Sequence, residues 1–305
     1  MIKPKPLQQG DSVAIIAPAS PTDKNLIDKC VNSLNALGLK VVVGDSCLSE
    51  HGFLSGTDDI RANDINCMFA DKNIKGIFAL RGGYGCARLL NLIDFKLIKK
   101  NPKIFVGYSD ITALHIAINQ KSKLITYHGP MISTELIKGL DEYSANYYKK
   151  FIFGNDKVEE VFNPEGDNLQ SINNGISSGQ LIGGNLSLIC SSLGTKYEIN
   201  TKNKILFLEE VEEVPYKIDR MLTQLKQSGK LKDANGIVLG SFTNCIASNN
   251  KKSLSLQEVF NEIILPLKKP TISNLACGHC LPTLTLPLGA KVLLDATTKK
   301  IKILE

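Results

Sequence analysis

The stretch from residue 103 to 118, KIFVGYSDITALHIAI, changes its hydrophobic period within four residues. Residues 104–106 form a short apolar run that is typical of a buried strand. The apolar residues from Ile111 onward recur at helical spacing instead, and Ser109 lies in the turn between the two patterns. A buried strand that turns at once into a helix predicts an α/β sheet.

Ser109 occupies the bend of this strand–turn–helix unit. A serine held there has its hydroxyl raised above the sheet edge, and the backbone N–H groups at the start of the next helix point toward whatever the hydroxyl attacks. This pattern is that of a nucleophile elbow, although Ile111 stands where the usual glycine would be. An N-capping serine or a plain strand-to-helix turn would fit the same residues.

Short apolar strands alternate with helices through the first half of the chain. Residues 11–17, 41–43 and 77–80 read as strands, and a helix is expected from about Asp58 to Ala70. Strands that alternate with helices predict a parallel sheet with helices on both of its faces.

A second candidate site follows the strand at 77–80, where the chain reads Arg81-Gly82-Gly83-Tyr84-Gly85. Adjacent glycines let a backbone approach a ligand closely, and the helix start that follows favours negative charge. The segment lacks the spacing of a dinucleotide fingerprint and the lysine of a phosphate loop, so a nucleotide site is not expected. A tight turn without a ligand is the alternative. This turn and that of Ser109 both end parallel strands, where open α/β folds keep their sites.

The polar segment 155–178 is predicted to link a first domain, residues 1–154, to a second domain, residues 179–305. In the second half, the buried run 205–208 leads directly into Glu209. A strand is expected at 271–276 and two short strands around residues 297 and 298. Ser255 and Glu258 predict a capping box at the start of a helix.

Charge and hydropathy exclude several classes of protein. The net charge of +6 is distributed as single lysines and pairs, which predicts a solvated surface and no nucleic-acid partner. No apolar run is long enough to span a bilayer, and the first twenty residues lack the pattern of a signal peptide. The expected location is the cytoplasm, or the periplasm if a signal peptide has been removed.

A serine nucleophile needs a base, and histidine titrates near working pH. The candidates are His51, His115, His128 and His279. His279 is the best placed, in a loop between apolar strands, whereas the other three suit solvated, packed or turn positions.

The histidine in turn needs a carboxylate that fixes its tautomer. Glu209 follows four buried residues and is expected at a strand end. Glu210, Glu212 and Glu213 are interpreted as its solvated neighbours.

The sequence Cys277-Gly278-His279-Cys280 offers a rival interpretation, because it resembles the active site of a thiol–disulfide oxidoreductase. Such a site needs its first cysteine at a helix start, and the nearby prolines exclude a helix. A zinc site would lack a clear second pair of ligands. Most of the eight cysteines lie in apolar segments, where they suit a core.

Taken together, these stretches resemble the serine LD-carboxypeptidases, which include murein tetrapeptide carboxypeptidases and microcin C self-immunity peptidases. The matching pieces cover nearly the whole chain in the order of the family: GDSVAIIAPAS, LRGGYGCARLL, VGYSDITALH, HGPM, GQLIGGNLSL, LFLEEVEEVPYKIDRML, GIVLGSF and the G-H of CGHC.

The resemblance implies a catalytic triad of Ser109, Glu209 and His279. It also implies an oxyanion hole made by the backbone N–H groups of Gly83 and Asp110. Three further residues are implied to bind the substrate: Arg81, Gly82 and Asn185. Glu210 departs from the family, whose members often have aspartate there, and the cysteines beside His279 are not part of its pattern.

The implied fold is an amidotransferase-like or flavodoxin-like parallel-sheet domain followed by a smaller, β-rich mixed α/β domain of the swivelling type. The implied reaction is release of the terminal D-alanine from a murein tetrapeptide, by a homodimer, with no metal or cofactor. A microcin C-type peptidase and a non-catalytic muropeptide-binding protein are the alternatives.

Overall fold

The computed structural model of the protein describes residues 1–154, 160–247 and 252–304. The strands of these residues, in chain order, are β1 (Ser12–Ile16), β2 (Lys40–Val43), β3 (Ile74–Ala79), β4 (Ile104–Gly107), β5 (Thr126–His128), β6 (Glu160–Val161), β7 (Gln170–Asn173), β8 (Ile176–Asn185), β9 (Ile205–Val211), β10 (Gly236–Thr243), β11 (Thr271–Ser273), β12 (Leu286–Leu288), β13 (Lys291–Asp295) and β14 (Lys300–Ile303).

The α-helices of the same residues are α1 (Ile27–Asn35), α2 (Asp58–Ala70), α3 (Cys86–Leu89), α4 (Phe95–Lys100), α5 (Thr112–Ser122), α6 (Glu142–Phe153), α7 (Leu186–Ser191), α8 (Pro215–Gln227), α9 (Lys230–Asp233) and α10 (Leu256–Ile263). Short 3₁₀ turns are at Lys24–Leu26, Asp45–Leu48, Ser109–Ile111, Leu136–Lys138 and Leu265–Leu267. In the part of the chain that is described, no helix combines the length and the apolar character that crossing a membrane requires.

The described residues form two compact units. The first contains the residues up to 154 together with Thr285–Gly289, and the second contains 160–284 and 290–304. The predicted domain boundaries at 154 and 179 stay a prediction. The start of the predicted linker, residues 155–159, lies outside the described residues.

The first unit has a six-stranded sheet in the order β12-β5-β4-β3-β1-β2. The five strands from the first half of the chain pair in parallel, and β12 adds an antiparallel edge. The side chains of residues 104–106 in β4 are at most 1% exposed, because this strand is central and buried. The predicted parallel sheet is confirmed, and the carboxyl ends of β1, β3 and β4 lie at one edge of it.

The second unit has an eight-stranded mixed sheet in the order β6-β14-β13-β8-β9-β10-β11-β7. The central strands β8 to β11 pair in parallel, and the strands on both sides of them pair antiparallel. The mixed α/β class predicted for this half is confirmed. Ser255 and Glu258 form the predicted capping box at the start of α10.

The structure differs from the expectations in three places. Residues 160–178 of the predicted linker contain β6, β7 and the first residues of β8, because short and mostly polar strand segments carry little hydrophobic signal. The strand expected at 271–276 is shorter, at Thr271–Ser273. The strand β12 was not expected, and it contains Pro287, which an edge strand tolerates because one row of its backbone groups needs no partner.

Candidate active site

Ser109 lies directly beyond β4, where the backbone turns sharply. Its φ of 63° is in the left-handed region, which residues with a side chain seldom occupy. The residue begins a single 3₁₀ turn that continues into α5, and it is partly exposed. A strained residue between a strand and a helix is the local geometry expected of a nucleophile elbow.

The glycine loop after β3 touches this elbow. A side chain on Gly82 would begin 2.9 Å from Cβ of Ser109 and 3.0 Å from its Oγ. Such distances are below van der Waals contact, so only glycine permits this approach. The backbone that leads to Gly83 therefore runs along the hydroxyl of Ser109.

Ser20, in the loop after β1, holds the same glycine loop from another direction. The backbone N–H of Tyr84 donates to the Ser20 hydroxyl at 3.2 Å, and the N–H of Ser20 donates to the carbonyl of Gly82 at 3.4 Å. The loops that follow β1, β3 and β4 thus meet around the elbow.

Asp110 ties the start of α3 to the elbow through its carboxylate. The residue is 1% exposed, and its Oδ2 accepts the backbone N–H of Cys86 at 2.8 Å. Burial raises the pKa of this carboxyl, while the hydrogen bond from Cys86 opposes the rise. The side chain fixes the loop, whereas its backbone N–H is the group predicted to serve the oxyanion hole.

Arg81 begins the glycine loop and is partly buried. Its Nη1 donates to the carbonyl of Pro21 at 3.3 Å, and its buried Nε has no hydrogen-bond partner among the described residues. The guanidinium therefore lies between the loops that follow β1 and β3.

In the second unit, the structure brings Glu209 and His279 together. Glu209 is fully buried within β9, and its Oε2 lies 2.7 Å from Nδ1 of His279. Burial raises the pKa of Glu209, and the bond with His279 counteracts that rise. Because a carboxylate only accepts, Nδ1 carries the proton, which leaves Nε2 as the basic nitrogen of the neutral ring.

The loop that carries His279 approaches β9 through Gly278. At this residue φ is 121°, and a Cβ would lie 2.7 Å from Oε2 of Glu209. Any side chain there would push the histidine away from its carboxylate.

Glu210 was expected to be solvated, and that interpretation is wrong. It is 2% exposed and accepts the Asn185 amide at 2.9 Å and the Ser187 hydroxyl at 2.6 Å. Asn185 is itself 3% exposed and caps α7 by accepting the N–H of Leu188. The structure therefore gives Asn185 a supporting position beside Glu209 and Glu210, and its predicted contact with substrate stays a prediction.

The other histidines occupy different environments. His115 is buried in α5, donates from Nε2 to the carbonyl of Gly107 and accepts from the Thr126 hydroxyl, both at 2.8 Å. Burial lowers its pKa to about 4. His128 is 1% exposed at the end of β5 with its ring against Tyr108, while His51 is exposed.

The two cysteines beside His279 are free thiols in a loop. Burial raises the pKa of Cys277 well above its usual range and also raises that of Cys280. A reactive thiolate needs the opposite shift, which disfavours the redox interpretation. In the described ranges, no group of three or more His, Cys, Asp or Glu side chains is arranged to hold a metal ion.

Sequence reasoning missed Ser20 and Arg61 as parts of this region. Arg61 is fully buried in α2, and its Nη1 donates to the carbonyl of Pro18 at 2.6 Å. A signal was present, because Arg61 shares the helical spacing of Ile65 and Phe69, so a charged residue occupies a core position. For Ser20, the sequence offered no more than a hydroxyl residue after a predicted strand.

Comparisons with known proteins cover nearly the whole chain. Residues 13–129 match the family model of the LD-carboxypeptidase N-terminal domain, and residues 178–294 match that of the LD-carboxypeptidase C-terminal domain. A probable murein peptide carboxypeptidase of Bacillus subtilis (strain 168) is 44% identical over 307 residues, which cover 99% of this chain and 94% of that protein.

Two further relatives represent two activities. The microcin C7 self-immunity protein MccF of Escherichia coli is 29% identical over 330 residues, covering 98% of this chain and 95% of that protein. The crystal structure of muramoyltetrapeptide carboxypeptidase from Oxalobacter formigenes matches with a TM-score of 0.84 at 28% identity, covering 96% of this chain and 97% of that one.

Proposed function

The chain belongs to the LD-carboxypeptidase family, since models of both domains of that family match it, and we propose that it releases the terminal D-alanine of murein tetrapeptides. Family membership makes the protein a serine carboxypeptidase. The bond proposed for cleavage joins meso-diaminopimelate to D-alanine, a reaction that serves peptidoglycan recycling or remodelling.

In the proposed mechanism, the Ser109 hydroxyl attacks the carbonyl of this bond. His279 takes the serine proton on Nε2 and later passes it to the leaving amine, while Glu209 orients the ring and stabilises its charged form. An acyl-enzyme forms, D-alanine leaves, and water releases the shortened peptide.

The developing oxyanion is proposed to accept hydrogen bonds from the backbone N–H groups of Gly83 and Asp110. In comparable sites one such donor is worth roughly 3 kcal/mol of transition-state stabilisation. Support comes from the close packing of the glycine loop against the elbow. A Cβ atom placed on Gly82 would lie only 2.9 Å from Cβ of Ser109.

The observation that carries the proposal is the buried Glu209 carboxylate 2.7 Å from Nδ1 of His279. A carboxylate excluded from water and bonded to one imidazole nitrogen prepares the other nitrogen as a base. A structural ion pair would seldom be built at the cost of burying a carboxylate completely.

Mass spectrometry of purified murein tetrapeptide tests the proposal by following the loss of one alanine residue. The wild-type protein is expected to convert the peptide, and Ser109→Ala to fold normally yet lose nearly all turnover. Glu209→Gln should lower kcat by about 10³- to 10⁴-fold, because the amide favours the wrong tautomer of the histidine.

Glu213→Gln is the matched control, because Glu213 pairs with Lys217 at 2.7 Å and is partly exposed. Its turnover should match that of the wild type. Turnover by Ser109→Ala close to the wild-type value would contradict the serine mechanism.

A microcin C-type peptidase is the second candidate, favoured by the similarity to MccF across 98% of the chain. An aminoacyl sulfamoyl nucleotide assayed beside the tetrapeptide separates the two activities. Hydrolysis of the nucleotide conjugate without release of D-alanine would favour this candidate.

The homodimer and the cytoplasmic location implied by the resemblance belong to the same proposal. A solution mass equal to one chain of 33.3 kDa would contradict the dimer, and cell fractionation tests the location.

A further inference from the structure

Arg81 differs from the other three arginines of the chain in what surrounds it. Arg61 and Arg88 both form ion pairs with Asp58, and Arg220 is exposed over the ring of Tyr216. Arg81 is partly buried, and no ion pair joins it to a carboxylate within the residues that the structure describes.

The hydrogen bonding of Arg81 is also incomplete. A guanidinium has five N–H donors, yet the described residues offer it one carbonyl, that of Pro21, at 3.3 Å. Its buried Nε has no hydrogen-bond partner among the described residues, as is also the case for Nε of Arg61. A partly buried cation with so few acceptors carries a cost that an anionic ligand would offset.

Arg81 is also close in the chain to the proposed chemistry. Gly82, the next residue, approaches the elbow of Ser109, and Gly83, one further on, is the proposed oxyanion donor. The carbonyl of Pro21 accepts a hydrogen bond from the guanidinium. Pro21 follows Ser20, whose hydroxyl accepts the backbone N–H of Tyr84 in the glycine loop. Arg81 is therefore anchored to the same pair of loops that flank the serine.

We propose that Arg81 binds the free terminal carboxylate of the substrate and so restricts cleavage to peptides that end one residue beyond the attacked bond. The inference rests on the proposed function. A carboxylate one residue past the attacked carbonyl lies about 3.5 Å along the chain from it, which a long side chain two residues before the oxyanion donor can span. The planar guanidinium matches both oxygens of a carboxylate.

The test compares two substrates that differ only at the terminus, the tetrapeptide ending in D-alanine and the same peptide ending in D-alaninamide. The wild-type protein is expected to prefer the free acid. Arg81→Met should lower kcat/KM for the acid by about 10- to 100-fold, mainly through KM, and change that for the amide by less than about 3-fold. For Arg81→Lys, kcat/KM for the acid should lie between the values of the wild type and of Arg81→Met. Lysine keeps the positive charge but lacks the planar pair of N–H donors.

Arg220→Met is the matched control, because it removes an equal charge from an exposed position, and its preference should equal that of the wild type. Labelling of the active serine by a fluorophosphonate reports whether each variant still folds around the elbow.

An Arg81→Met variant that keeps the wild-type preference for the acid, or that loses both substrates equally, overturns the role of Arg81. In both cases a wild-type protein that releases D-alanine leaves the proposed function standing. A wild-type protein that releases none overturns the proposed function and this role with it.

Discussion

At the scale of single residues, adjacent carboxylates in β9 have different roles. Glu209 and Glu210 point to opposite faces of the strand, and each is almost fully buried. Glu209 meets one imidazole, whereas Glu210 accepts hydrogen bonds from Asn185 and Ser187. Burying a carboxylate costs free energy unless it is hydrogen-bonded, so each glutamate needs partners, and the partners determine its role.

The buried His115 is expected to make the stability of the protein depend on pH. Its pKa is about 4 in the folded protein and about 6.5 in an unfolded chain, so the unfolded state binds the proton first. The free energy of unfolding should therefore fall as pH drops from 6.5 to 4, by up to about 3 kcal/mol from this residue. Urea unfolding across that pH range measures the fall.

The His115→Gln variant isolates this contribution, because its side chain does not titrate. Its unfolding free energy should fall less steeply with acid than that of the wild type. His51→Gln, at an exposed position, is the control and should keep the wild-type slope. Equal slopes for all three proteins would show that His115 does not carry the effect.

At the scale of elements, α2 acts as a clamp on the loops around Ser109. Its first turn contributes Asp58, which pairs with Arg61 in the same helix and with Arg88 in α3. Arg61 also reaches the carbonyl of Pro18 after β1. One helix thus connects the loops that follow β1 and β3.

This arrangement predicts unequal effects for two arginines that share a partner. Arg61→Met should destabilise the protein by about 3 kcal/mol, because it leaves a buried carbonyl and part of a carboxylate without a donor. Arg88→Met should lower the free energy of unfolding much less. The side chain of Arg88 is 45% exposed, so water screens its ion pair with Asp58. Differential scanning calorimetry of both variants measures the difference, and equal melting temperatures would contradict the clamp.

At the scale of the whole molecule, the sequence predicted much of the architecture. Alternating apolar runs predicted the parallel sheet, and the change of period at residues 103–118 predicted the turn at Ser109. These features are local, because each depends on residues a few positions apart. The capping box at Ser255 is local in the same sense.

Contacts between distant residues were harder to predict. The burial of Glu210 depends on Asn185, which lies 25 positions earlier, and that of Arg61 on Pro18, which lies 43 earlier. Polarity alone suggested a solvated Glu210 and gave no role to Arg61, because the partners that satisfy the two side chains cannot be read from one segment. The roles of Ser109, Glu209 and His279 in catalysis stay predictions.

The strand β12 gives the chain an unusual order. Thr285–Gly289 belongs to the first unit, although the residues on either side of it belong to the second, and Thr285 follows His279 by six positions. A truncation before residue 285 would remove nothing from residues 1–154 and yet strip β5 of the neighbour that covers its backbone. Such a fragment would present β5 as an open sheet edge and should self-associate, so the first 154 residues do not supply every strand of their own sheet.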